Sequence, residues 1–130
     1  MLKGYLVVML VGAFGCGARM FVSGYFFDKY GAHFPIGTLV VNVLGCLSIG
    51  ILAALTRPGG WLLIPPLARD ALIIGFLGGF TTFSSFALQT LALLETRQWG
   101  AASLNITLSL SLCLAAVWIG QSLTLSLMRH

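Results

Sequence analysis

In 130 residues there are seven Lys and Arg against three Asp and Glu, so 8% are charged while 58% are hydrophobic. A water-soluble domain carries about 25% charged residues, and the mean hydropathy of +1.01 points the same way, so the natural solvent of this chain is lipid. One membrane span takes about 20 apolar residues, and the length is filled by four of them as one transmembrane domain, 1–130. The formal charge of +4 is scattered over span ends rather than gathered on a face, which excludes a nucleic-acid partner.

The first apolar stretch runs over 5–26, after Lys3. A basic start resembles a signal peptide, but the stretch is long and three equally apolar ones follow, so it is read as a retained span. Within it, Gly17-Ala18-Arg19 places a cation about 10 Å from the nearer end at 1.5 Å per residue. Arg19 either snorkels to the interface or sets a positive potential at a vestibule. Gly12 and Gly15 to Gly17 permit close helix approach. Asp28, Lys29, Tyr30 and Gly31 close the span.

The second span, 34–56, carries one amide, Asn42, in an otherwise apolar run. An unpaired amide in hydrocarbon costs several kcal/mol, so Asn42 must meet a partner. Its NH2 group donates either to an anion or to a neighbouring helix. Arg57, Pro58, Gly59 and Gly60 end the span.

The third span, 71–94, follows Pro65, Pro66, Arg69 and Asp70. Its middle reads Gly75-Phe76-Leu77-Gly78-Gly79-Phe80-Thr81-Thr82-Phe83-Ser84-Ser85-Phe86. Glycine loosens a helix, and Ser and Thr side chains compete for its carbonyls. A break is therefore expected near the bilayer midplane, where irregular backbone survives only inside protein or beside a cavity. The other reading is a continuous helix with a small-residue packing groove. Phe80, Phe83 and Phe86 recur every third residue and form an aromatic stripe. Such a stripe is either packing surface or a row of ring edges, whose partial positive charge can face an anion.

The fourth span, 101–128, carries Asn105, Thr107, Ser109 and Ser111. Asn105 and Ser109 share a face, with Cys113 one turn further on. That polar stripe is a wet track or a helix interface. The cysteines Cys16, Cys46 and Cys113 lie in three different spans with no C-x-x-C, and are expected to serve as small packing residues.

The absences narrow the function. Asp28, Asp70 and Glu95 sit at span ends, and His33 and His130 are peripheral. No catalytic set or metal-ligand cluster can be assembled within the membrane, so an enzyme is excluded. A proton-coupled exporter of cationic drugs lacks its mid-span carboxylate. With both termini on one side, Lys3, Arg57, Arg69 and Arg129 stand against Lys29 and Arg97, a weak orientation bias. A set of four helices this small encloses little, which places any pore between subunits.

At these residues the sequence resembles the Fluc/CrcB family of fluoride channels. The resemblance rests on Gly17-Ala18-Arg19, on Gly37-Thr38 with Val41-Asn42 and Gly45, and above all on the run from Gly75 to Phe86. It implies an all-α integral membrane protein with a broken third helix, forming an antiparallel dual-topology homodimer with two fluoride pores. It further implies a multi-pass protein of the bacterial cytoplasmic (inner) membrane that confers fluoride resistance. The family's structural Na+ maps to the backbone carbonyls of Gly78 and Thr81. Its pore phenylalanines map to Phe83 and Phe86, its second-span asparagine to Asn42, and its hydroxyl track to Ser84 with Thr82. Its first-span arginine maps to Arg19, while Asn105 and Ser109 match the fourth-span pore face more loosely. Phe80 stands where the family often has Leu, which makes it a packing residue.

Overall fold

A computed structural model describes residues 1–129; His130, read above as peripheral, lies outside the described residues. The described residues form an all-helical structure, with four helices among them long and apolar enough to cross a membrane. The first, α1, is Leu2–Tyr30 and the second, α2, is Ile36–Leu55. The third span is built from pieces: α3 (Pro66–Asp70), a wide-turned π-helical stretch (Ala71–Leu77), α4 (Gly78–Phe80) and α5 (Phe83–Glu95). The fourth is α6, Trp99–Leu127.

The helices outrun the apolar stretches. Asp28, Lys29 and Tyr30 still belong to α1, and the third span starts at Pro66, whose missing N–H is no loss in a first helical turn. Hydropathy marks where lipid begins, whereas a helix stops only where its hydrogen bonds stop.

Glycine contacts join the spans in two pairs, and Gly37 of α2, lying against the Ser23 backbone of α1, links the pairs. In the first, α1 crosses the third span on glycine. A side chain on Gly15 would run into the Phe76 carbonyl and lie 3.0 Å from the Phe80 nitrogen, and one on Gly75 would lie 2.8 Å from the Val8 carbonyl oxygen. The expected close approach thus falls on Gly12, Gly15, Gly75 and Gly79, while Gly17 has open space around it. In the second, Gly50 of α2 meets the backbone of Val117 and Gln121, and Gly120 of α6 meets Leu47 and Ile51. With lipid as apolar as leucine, close van der Waals contact of this kind drives helix association. Phe80 is buried and stacked on Phe76, ring centres 6.1 Å apart, as a packing residue should be. Large side chains such as Phe14, Phe21 and Leu114 stay exposed on the outer faces, where acyl chains would cover them.

Candidate functional site

The break in the third span is two residues long. Thr81 (φ −79°, ψ 158°) and Thr82 (φ −153°, ψ 110°) are extended, between the helical Phe80 and Phe83. The local sequence accounts for it. Two glycines weaken the preceding turn, and two β-branched threonines favour extended backbone. Thr82 then caps the next helix: its Oγ1 accepts from the Ser85 N–H at 3.2 Å and donates to Ser85 Oγ at 3.0 Å. Loss of a Thr cap costs about 1 kcal/mol. Thr82→Ala is accordingly expected to lower the unfolding free energy by about that amount, read as a reduced midpoint in detergent; an unchanged midpoint would deny the cap its role.

Interrupted backbone at this depth leaves polar groups to satisfy, and Asn42 satisfies two of them. Its Oδ1 accepts from the Thr82 N–H at 2.7 Å and its Nδ2 donates to the Thr82 carbonyl at 3.0 Å. These two bonds also fix which way the amide faces. The second Nδ2 hydrogen remains for another acceptor. Of the two partners open to Asn42 at the level of sequence, the neighbouring helix is thus engaged, and half of the NH2 group is left.

The diversions expose carbonyls. In an unbroken helix the Gly78 oxygen would accept from Thr82 N–H and the Thr81 oxygen from Ser85 N–H. Both donors go elsewhere, one to Asn42 and one to the Thr82 hydroxyl. Thr81 itself is held by its N–H and its hydroxyl, each donating to the Leu77 carbonyl at 2.9 Å.

Beside the break lies a cavity of about 330 Å3, open on one side. Its lining brings together Asn42, Gly78, Thr81, Thr82, Phe83, Phe86 and Ser109. The Phe83 and Phe86 rings are 5.3 Å apart and tilted at 48°. Phe86 is 9% exposed, but Phe83 is 73% exposed at the open side. Among the described residues, no carboxylate or basic side chain lines the cavity.

The other residues singled out by sequence stand apart from it. Ser84 is on the exposed side of α5 with its Oγ 3.3 Å from Thr82 Oγ1. Asn105 is 1% exposed inside the bundle, donating to Thr90 Oγ1 at 2.9 Å, and Thr90 in turn donates to the Phe86 carbonyl at 2.7 Å. It braces the helix that carries Phe86 rather than lining the cavity. Arg19 is half-buried on α1, Nη2 3.6 Å from Cys16 Sγ. Gly45, named above only within the family motif, is where the Thr81 methyl packs, and Cys46 and Cys113, read above as packing residues, line the cavity. The spacing Asn42–Cys46 and Ser109–Cys113, four residues on each helix, was the available signal.

A family model described as "CrcB-like protein, Camphor Resistance (CrcB)" matches residues 6–121. A protein of Opitutus terrae named "Fluoride-specific ion channel FluC" is 52% identical over 116 residues, 89% of this chain and 88% of its own length. Relatives of the same name occur in Paramagnetospirillum magneticum, at 45% identity over 89% of this chain and 91% of the relative, and in Shewanella baltica. The Shewanella protein is 42% identical over 125 residues, 96% of this chain and 98% of its own.

Proposed function

The chain belongs to the CrcB-like family, and from that membership we propose that it is a fluoride-selective channel releasing F− passively from the bacterial cytoplasm. The observation that carries this reading is the uncharged cavity at the break, lined by two phenylalanines, an amide and hydroxyl side chains with no carboxylate among the described residues. Fluoride is small and strongly hydrated, so a path must replace its water with donors. The unused Nδ2 hydrogen of Asn42 and the Ser109 hydroxyl are such donors, and Ser84 adds a third at the exposed side of α5. The edges of Phe83 and Phe86 complete the path with partial positive charge. The N-terminus of α5 adds the positive end of a helix dipole beside them. Channel selectivity of this kind comes from pore width and lining donors, and larger anions, although they lose water more easily than fluoride, accept weaker hydrogen bonds from these donors and are wider.

The same reading makes the working unit an antiparallel homodimer. A phenylalanine 73% exposed beside an open cavity is half of a site, and a second copy would cover it. The weak charge bias between the two sides permits insertion in both orientations. A structural Na+ fits the donor chemistry, since the Gly78 and Thr81 carbonyls are relieved of their helical donors and hard cations prefer oxygen. Held there, the ion would lock the dimer and supply positive potential.

Phe83→Ile keeps the apolar bulk and removes the ring edge. It is expected to slow fluoride efflux about tenfold, equivalent to about 1.4 kcal/mol of barrier, while the dimer elutes unchanged; wild-type flux would place Phe83 outside the path. The function itself is tested in cells. A bacterium lacking its fluoride channel should regain growth on fluoride when it expresses this chain. Failure to grow, with the protein present in the membrane, would overturn the reading.

A further inference from the structure

Two thiols share the wall of the cavity beside the break. Cys46 on α2 and Cys113 on α6 both line it, one turn beyond Asn42 and Ser109 respectively. The spans alternate in direction, so α2 and α6 run the same way, and the glycine contacts set their register. Gly50 lies against Val117, and four residues earlier on each helix stand Cys46 and Cys113. Close backbone approach at Gly50 and Gly120 brings the neighbouring side chains together, and both thiols border the same cavity. Neither is in a disulfide.

We propose that Cys46 and Cys113 form a two-thiol site for a soft monovalent cation of the Cu+ or Ag+ class. The donor set chooses the ion. Thiolate sulfur prefers soft metals. Zinc would need four ligands, and among the described residues no group of three His, Cys, Asp or Glu stands together. A soft monovalent ion is content with two sulfurs in line. Binding forms two sulfur–metal bonds, and each thiol passes its proton to water, so affinity rises with pH. Cys16 is exposed on α1 and does not line the cavity, so it is not part of the pair.

The test uses the full chain in detergent, titrated calorimetrically with silver nitrate in chloride-free buffer. Binding is read directly and not through ion flux, so its outcome is independent of the fluoride reading. The site predicts one tight silver per chain, retained in Cys16→Ser. It predicts that Cys46→Ser and Cys113→Ser each weaken binding by about 100-fold or more, at or beyond the upper end of what loss of a mere supporting group costs. Unweakened binding in either of these two, or loss of tight binding in Cys16→Ser, overturns it. Should a serine variant fail to fold, silver X-ray absorption on the intact chain decides the matter. Two sulfur neighbours per silver support the site, and one sulfur neighbour overturns it.

Discussion

Asn42→Asp is expected to slow fluoride efflux by about 10³-fold while leaving the protein assembled. The carboxylate still accepts the Thr82 N–H that Asn42 Oδ1 accepts at 2.7 Å, while its other oxygen replaces the Nδ2 donor and faces the Thr82 carbonyl as a second acceptor. The path loses far more. An unused N–H donor is replaced by a formal negative charge, and like charges about 4 Å apart near a protein surface repel by about 4 kcal/mol. At about 1.4 kcal/mol per decade that repulsion gives the stated factor. Asn42→Ala separates the two duties of the side chain. It adds no charge, but it leaves both Thr82 backbone groups without a partner, at about 1–3 kcal/mol for each one buried. The aspartate, which keeps the Thr82 N–H paired, should therefore be closed and the more stable of the two, and the alanine less stable and less impaired per folded molecule. Efflux from liposomes and unfolding in detergent, measured on both variants, check this; equal flux in the aspartate variant and the wild type would remove Asn42 from the ion path.

The second large effect concerns assembly. Gly15→Ala should lower stability by about 3 kcal/mol, the upper range for overpacking, and leave little monodisperse protein. The added methyl would occupy the position of the Phe76 carbonyl oxygen and crowd the Phe80 nitrogen. Both obstacles are backbone, which cannot rotate aside, and they belong to the turns that lead into the break. Gly17→Ala is the control on the same helix. Nothing lies within 4 Å of a side chain there, and Ala is the better helix former by about 0.5–1 kcal/mol. Size-exclusion profiles and unfolding midpoints of the two variants should diverge in sign; similar behaviour would show that the glycine crossing does not hold the spans together.

Much of this architecture is legible in the sequence because the bilayer restricts the choices. Apolar length sets the number of spans, and Gly78-Gly79 followed by Thr81-Thr82 marks where the third one must fail. The partner that rescues the failure is harder to foresee. A lone amide at Asn42 announces that it needs a hydrogen bond, but only the packing of α2 on the third span reveals Thr82 as the recipient. Asn105 is the opposite case. Its spacing with Ser109 indicates a shared face, yet Asn105 turns to Thr90 while Ser109 reaches the cavity. A polar stripe on a helix wide enough to touch two neighbours can serve both, and periodicity does not divide it. The π-helical turns of Ala71–Leu77 leave no trace in residue pattern, since their sequence is that of any apolar helix. The thiol pair depends on the register between α2 and α6, which Gly50 and Gly120 set through space.

The uncharged cavity at the Thr81–Thr82 break is expected to conduct fluoride and to discriminate against other anions. Purified protein in liposomes loaded with equal fluoride and chloride, with each ion followed by its own electrode, tests it in one measurement. Fluoride should be lost rapidly while chloride is retained at the level of protein-free vesicles. Release of both ions together, or of neither, would contradict it.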